Sequence, residues 1–226
     1  MKLAIMTQST FFVEEDKILA ALFEAGLDNL HLYKPGSSPI YSERLLSLLP
    51  STTYNKITVH EHFYLKDEYN LAGIHLDDAS IQEPIGYKGR ISRTCKRIED
   101  LKETKKSSSY VFLGNILNSQ SNKSVLSDLD MNSLTKAADC GLIDKKVYAL
   151  GGMNIDNIQF ARDLGFGGIV ICGDLWNRFN IHHQRDYKEL IAHFEKLRKK
   201  KKKKETSVEI SQKDSKIEIT ENYNIT

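Results

Sequence analysis

The residues of this chain that could do chemistry fall in short clusters, each just after an apolar run. Val147–Leu150 leads into Gly151-Gly152-Met153-Asn154, and Gly168–Cys172 leads into Gly173-Asp174. Glycine at such a point lets backbone N–H groups approach an anion, and a helix starting there adds its dipole, so a phosphate or diphosphate is the expected ligand. The plainer reading is a pair of tight turns. Tyr110–Leu113 leads into a polar loop in which Ser119 and Ser121 can donate hydrogen bonds and Lys123 can offset charge on a diphosphate. After Leu30–Tyr33 comes Lys34-Pro35-Gly36, with His31 just before, and a lysine there could bind a leaving diphosphate.

Two further clusters suggest a cation. His60-Glu61-His62 follows Ile57–Val59, and Asp77-Asp78 follows Gly73–Leu76. Glu61, Asp77 and Asp78 offer the oxygen ligands that Mg²⁺ prefers, together with substrate phosphate. The histidines could instead suit a transition metal. On an extended strand, however, residues 60 and 62 share one face and Glu61 points to the other, which disfavours a dedicated zinc site.

These clusters need a scaffold that gathers strand ends. Eight short apolar runs, rich in β-branched and aromatic residues, recur along the chain; besides those named they include Leu3–Met6 and Arg90–Ser92. Such runs predict strands buried on both faces of a parallel sheet. Helical patterns lie between them, at Glu14–Ala25, Ser42–Leu49, Arg97–Thr104, Met131–Cys140, Ile155–Leu164 and Asp186–Leu197. Gly26 and Gly165 are placed to end helices, and Asn154 to open one. Two of the intervening helices look short or irregular. Eight alternating units and no G-x-G-x-x-G favour a single closed (β/α)8 barrel over an open sheet, spanning residues 1–198. Residues 199–226 form a lysine-rich polar tail for which disorder is expected.

Composition narrows the partners. The 226 residues are 40% hydrophobic and 27% charged, with net charge +2, and six positive charges sit in the single run Lys199–Lys204. The rest of the chain is therefore slightly acidic, which argues against nucleic acid. Cys95, Cys140 and Cys172 show no CxxC spacing and are odd in number, as expected of reduced thiols. No stretch reaches the roughly 18 apolar residues of a membrane span, and the N-terminal residues lack a signal-peptide pattern. A cytoplasmic protein acting on small phosphorylated molecules is expected, and a homo-oligomer is compatible with this.

Several motifs in order resemble those of thiamine phosphate synthase and its TenI-like relatives, from Lys2 to about Trp176. YVFLGNILNSQSNK is similar to D-Y-[VI]-x-x-G-P-[IV]-F-x-[TS]-x-[TS]-K, and YALGGMNIDNI to A-[IL]-G-G-I-x-x-x-N. GFGGIVICGDLW resembles the strand-eight phosphate turn, GIHLDD resembles G-V-H-L-G-Q-x-D, and TCKRIEDL resembles S-x-H-x-x-x-E-L. The resemblance implies a transferase that joins a hydroxymethylpyrimidine diphosphate to a thiazole phosphate with Mg²⁺ and releases pyrophosphate. It implies that Ser119, Ser121 and Lys123 contact diphosphate, and that Gly151, Gly152, Cys172 and Gly173 offer backbone groups to the thiazole phosphate. Lys34 and Thr94 match family lysine and serine positions, Lys34 with one residue deleted. The chain departs from the pattern at His60-Glu61, where the family has Asn-Asp, at Ser80, where it has a metal-binding aspartate, and at Lys96, where it has histidine. A thiazole isomerase of the TenI type and a non-catalytic phosphate-binding barrel are the alternatives.

Overall fold

The structure is a computed structural model that describes residues 1–121, 124, 126–127, 129–179 and 187–202. Eight parallel strands close into a barrel in sequence order: β1 (Lys2–Met6), β2 (Leu30–Leu32), β3 (Ile57–Val59), β4 (Gly73–Leu76), β5 (Ile91–Cys95), β6 (Tyr110–Leu113), β7 (Val147–Ala149) and β8 (Gly168–Ile171). Closure comes from β1 against β8, where Leu3, Ala4 and Ile5 align with Ile169, Val170 and Ile171. This is the (β/α)8 barrel that the alternation predicts.

The two-residue period of a strand sorts the side chains into two layers. Leu3, Ile5, Leu30, Leu32, Val111 and Leu113 face outward into the main core, beneath the helices. Ala4, Met6, Phe112, Tyr148 and Val170 face inward and pack together inside the barrel. Each large buried apolar side chain contributes about 1.5–3 kcal/mol, so the outer layer carries most of the driving force. The inner layer is less ordinary. His31, His60 and His75 are buried there, where branched aliphatic residues usually fill the space.

The helices are α1 (Glu15–Glu24), α2 (Pro39–Leu48), α3 (Leu65–Glu68), α4 (Leu101–Thr104), α5 (Met131–Asp139), α6 (Ile158–Asp163), α7 (Gly173–Trp176) and α8 (Lys188–Lys202). Ile18, Leu19, Leu22 and Phe23 form the buried stripe of α1, as their spacing predicts. Gly26, at φ +90°, ends that helix: its N–H reaches the Phe23 carbonyl and the Leu27 N–H reaches Leu22. Two units are incomplete. The β3–β4 connection carries only the single turn α3, and β4–β5 has no helix. Instead the buried Arg93 guanidinium holds that loop, donating to the Ile81 carbonyl at 2.6 Å and to Glu83 at 3.1 Å.

Several boundaries differ from the sequence reading, three of them with a visible physical reason. β5 runs on to Cys95, because Thr94 and Cys95 align with Phe112 and Leu113, and Arg93 in mid-strand hides that continuation from an apolar-run reading. Asn154 caps a turn, its Oδ1 accepting from the N–H groups of Asp156 and Asn157, and α6 proper begins four residues later. α8 continues through the first lysines of the tail, and Arg162 donates to the carbonyls of Lys200 and Lys201. Among the described residues, no helix is long and apolar enough to cross a membrane.

Candidate active site

The C-terminal ends of the strands surround a cavity of about 670 Å³. Its far wall is built by three loops that interlock. Gly151 and Gly152, after β7, have φ of +101° and +65°. A Cβ on Gly152 would lie 2.5 Å from the Asn118 carbonyl oxygen, and one on Gly173 would lie 2.6 Å from the Ser121 N–H nitrogen. Hence the β6 loop rests directly on the turns after β7 and β8; glycine is required for that approach at both, and for conformation also at Gly151 and Gly152. Ser119 and Ser121 both line the cavity there, their hydroxyl oxygens 3.3 Å apart. Lys123 lies outside the described residues.

Cys172 lines the same wall with its thiol turned to the Thr7 carbonyl, 3.6 Å away. Burial pushes that thiol up to about 11, which disfavours the thiolate at neutral pH. Next to it stands the loop after β1, Thr7-Gln8-Ser9-Thr10, which the sequence reading did not single out. Thr7 binds it to β2: its Oγ1 donates to the Tyr33 carbonyl and accepts from the Tyr33 N–H, both at 3.0 Å. Trp176, in α7, donates its indole N–H to the Met6 carbonyl at 2.7 Å and roofs the end of β1.

Beneath the cavity runs a polar column. The Asp77 Oδ1 lies 2.7 Å from His60 Nδ1, His60 Nε2 lies 2.9 Å from His31 Nδ1, and His31 Nε2 lies 2.8 Å from the Tyr110 hydroxyl. His75 stacks on His60 with ring centres 4.3 Å apart and bonds Ser92 at 2.8 Å and Thr94 at 2.9 Å. Burial above all, then the neighbouring imidazoles, holds His31 and His75 well below the usual histidine range, so both rings are neutral.

The candidate residues therefore separate. Asp77, Thr94, Ser119, Ser121, Gly151, Gly152, Cys172 and Gly173 line one cavity. His31 does not; it sits below, inside the barrel, with both ring nitrogens bonded to protein. Lys34 is also displaced from the expected role. Its ammonium donates to the Thr10 carbonyl at 2.8 Å and to both Glu15 oxygens at 2.7 and 2.9 Å, which uses all three hydrogens. The pair is buried, with the Phe11 ring 4.5 Å from the ammonium. Burial pushes Lys34 down and Glu15 up, and their mutual attraction opposes both shifts. Lys34 thus clamps the β1 loop rather than facing a substrate.

The expected metal ligands divide in the same way. The chain leaves β3 at Val59, so strand alternation does not extend over residues 60–62. His60 turns inward, His62 takes φ +53° and bonds the Ser37 carbonyl, and Glu61 accepts from the Gly36 N–H at 3.0 and 3.1 Å, away from the cavity. Asp78 is held by Ser80 and by Lys96 at 3.2 Å, and these bonds pull its carboxyl down to about 2. Asp77 alone of the three faces the cavity, with Oδ1 bonded to His60 and Oδ2 making no hydrogen bond among the described residues. One cavity carboxylate fits Mg²⁺ that arrives with a diphosphate; it does not fit a dedicated all-protein site. Among the described lining residues Lys96 is the one cation, and it stands at the position where the family pattern has histidine.

The sequence model of thiamine monophosphate synthase matches residues 51–175, more than half of the chain. A crystal structure of thiamine phosphate pyrophosphorylase from Bacteroides thetaiotaomicron is 47% identical, covering 88% of this chain and 97% of that one at a TM-score of 0.79. The chain belongs to the thiamine monophosphate synthase family. Thiamine phosphate pyrophosphorylase from Pyrococcus furiosus, 18% identical, aligns over 88% of this chain and 94% of its own at a TM-score of 0.65. A 3-hexulose-6-phosphate synthase, 14% identical, covers 88% and 99% at 0.57. These two share the fold. No curated protein sequence matches the chain.

Within the thiamine monophosphate synthase framework, the histidines and tyrosine of this chain's barrel interior lie directly beneath the cavity. The sequence reading missed His75, Tyr110 and the β1 loop. Strand periodicity offered a signal for the first two, since His75 and Tyr110 share the inward phase of their strands with apolar or small residues. The hydroxyl-rich β1 loop follows a strand end, which was signal enough.

Proposed function

We propose that this chain is a thiamine phosphate synthase acting on a hydroxymethylpyrimidine diphosphate and a thiazole phosphate. One observation carries the proposal within the family frame: a glycine-and-hydroxyl cradle at the ends of β6–β8 faces the Asp77 carboxylate and the Lys96 ammonium across a single cavity. That arrangement suits two phosphorylated ligands with one reaction centre between them. The backbone N–H groups near Gly151, Gly152 and Gly173 receive the thiazole phosphate, while Ser119, Ser121 and Lys96 receive the diphosphate.

In the reaction the methylene C–O bond breaks, pyrophosphate leaves with the electron pair, and the thiazole nitrogen supplies the pair for the new C–N bond. The chain's own part is electrostatic and steric. Serine hydroxyls and the Lys96 ammonium meet the charge that grows on the departing diphosphate. Tyr33 and Trp176, beside the cavity, keep water from the cationic carbon. Asp77 would hold Mg²⁺ carried in with the diphosphate, and that ion would neutralise the leaving group.

The test is incubation of the protein with both precursors and Mg²⁺, with product followed by chromatography. Thiamine phosphate should form and should be lost on chelation with EDTA. Binding of thiazole phosphate with no product under those conditions would overturn the proposal.

A further inference from the structure

We propose that Tyr110, His31 and His60 form a positioning relay that fixes the Asp77 carboxylate at the floor of the cavity. The proposal rests on the reading of Asp77 as the carboxylate that meets the metal–diphosphate ligand. Polar side chains inside a barrel are costly unless paired, and along this row every ring nitrogen and the Tyr110 hydroxyl has a partner. The relay assigns a direction to each hydrogen. A carboxylate only accepts, so His60 carries its proton on Nδ1 and donates it to Asp77 Oδ1. In the relay as proposed His60 Nε2 then accepts, and His31 donates from Nδ1. His31 Nε2 is left as an acceptor, and the Tyr110 hydroxyl fills it. This arrangement gives each of the three hydrogen bonds one donor and one acceptor.

The relay therefore starts at the first residue of β6, crosses the barrel through β2, and ends at the cavity. Its consequence is geometric. Asp77 Oδ1 is committed to His60, so Oδ2 is the oxygen presented to a ligand. Buried partners that orient a ligating group are worth as much attention as the group itself, because a misdirected lone pair forfeits the contact. Neither Tyr110 nor His31 lines the cavity itself, and the side-chain hydrogen-bond route from them to Asp77 runs through His60.

A transition-metal centre on His31, His60 and His75 would be the rival use of the same residues, since their nitrogens lie within 4.8 Å of one another. The stacking speaks against it. His60 and His75 lie 27° from parallel with ring centres 4.3 Å apart, so their in-plane lone pairs run side by side instead of converging. All six ring nitrogens are moreover engaged by Asp77, Tyr110, Ser92, Thr94 or one another.

The experiment measures Mn²⁺ binding by electron paramagnetic resonance in the presence of inorganic pyrophosphate, using the full-length protein. Tyr110→Phe should weaken binding about fivefold, the factor of one ordinary hydrogen bond. In a His60→Asn background, where an amide can still donate to Asp77 but the link to His31 is cut, the same change should cost less than twofold. Long-range ¹H–¹⁵N spectra should show the proton of both His31 and His60 on Nδ1 in the native protein, and a mixed tautomer at His31 in Tyr110→Phe. Equal losses in the two backgrounds, no loss in either, or a His60 proton on Nε2 would overturn the relay. Stoichiometric zinc on these histidines in the purified protein would do the same. Failure of the native protein to bind Mn²⁺ with pyrophosphate would instead remove the metal role of Asp77, and the purpose of the relay with it, even if the tautomers are as described.

Discussion

Acidification should unfold this protein earlier than its surface charge suggests, because His31 and His75 are held neutral inside the barrel. In the unfolded chain each ring has the ordinary value of 6.5. The folded value is depressed, so the stability is fully present above about pH 6.5 and is lost as pH falls below it, while the unfolded state takes up protons that the folded state refuses. For a ring still neutral in the fold, moving from pH 7.5 to 5.5 costs about 1.4 kcal/mol, or close to 3 kcal/mol for the two. In a domain of this size that corresponds to a fall in Tm of roughly 5–11 °C. Glu15 pulls the other way, since burial raises its folded carboxyl, and the informative quantity is therefore a difference between variants. Urea unfolding can be followed by the fluorescence of Trp176, the single tryptophan, which is only 1% exposed. His75→Gln should remove about half of the histidine contribution, so that its stability falls about 1.4 kcal/mol less than the native protein's between the two pH values. Identical pH dependence in the two proteins would refute the reasoning, because it would mean that His75 titrates in the fold as it does in water.

Lys96→Ala should raise the Kd for inorganic pyrophosphate about tenfold while leaving thiazole phosphate binding within twofold, measured by calorimetry; equal losses would move the cation out of the diphosphate subsite. Lys34→Met should destabilise the protein by about 3–5 kcal/mol in urea melts, because it leaves the Glu15 carboxylate buried without a partner. Adding Glu15→Leu should recover much of that loss, and a single variant as stable as the native protein would refute the clamp. Gly152→Ala should weaken phosphate binding and cost more stability than Gly36→Ala. Both glycines have positive φ, but only the first has the Asn118 carbonyl where the new methyl would go; matching Tm values would show that the β6 loop yields freely.

Much of the molecule was legible in the residues alone. Short β-branched runs alternating with helical stripes determine a closed parallel barrel, because strands apolar on both faces need cover on both sides. β3, β4 and β6 carry the very limits that their apolar runs suggest. The glycine turns after β7 and β8 were visible for a similar reason: few other residues tolerate so close a backbone approach, and after β7 a positive φ besides. What the sequence could not convey is which polar side chains meet. Lys34 reads as a free cation at a strand end, yet Glu15, nineteen residues earlier, takes its charge. Glu61 and Asp78 read as cavity ligands, yet a backbone N–H and a neighbouring lysine claim them. His31, His60 and Tyr110 lie 29 and 79 residues apart in the pairs that bond, and the β2–β3 register together with barrel closure brings them within 3 Å. Spacing along the chain determines local conformation and face; pairing between distant strand ends depends on strand register and barrel closure, and only the tertiary structure decides it.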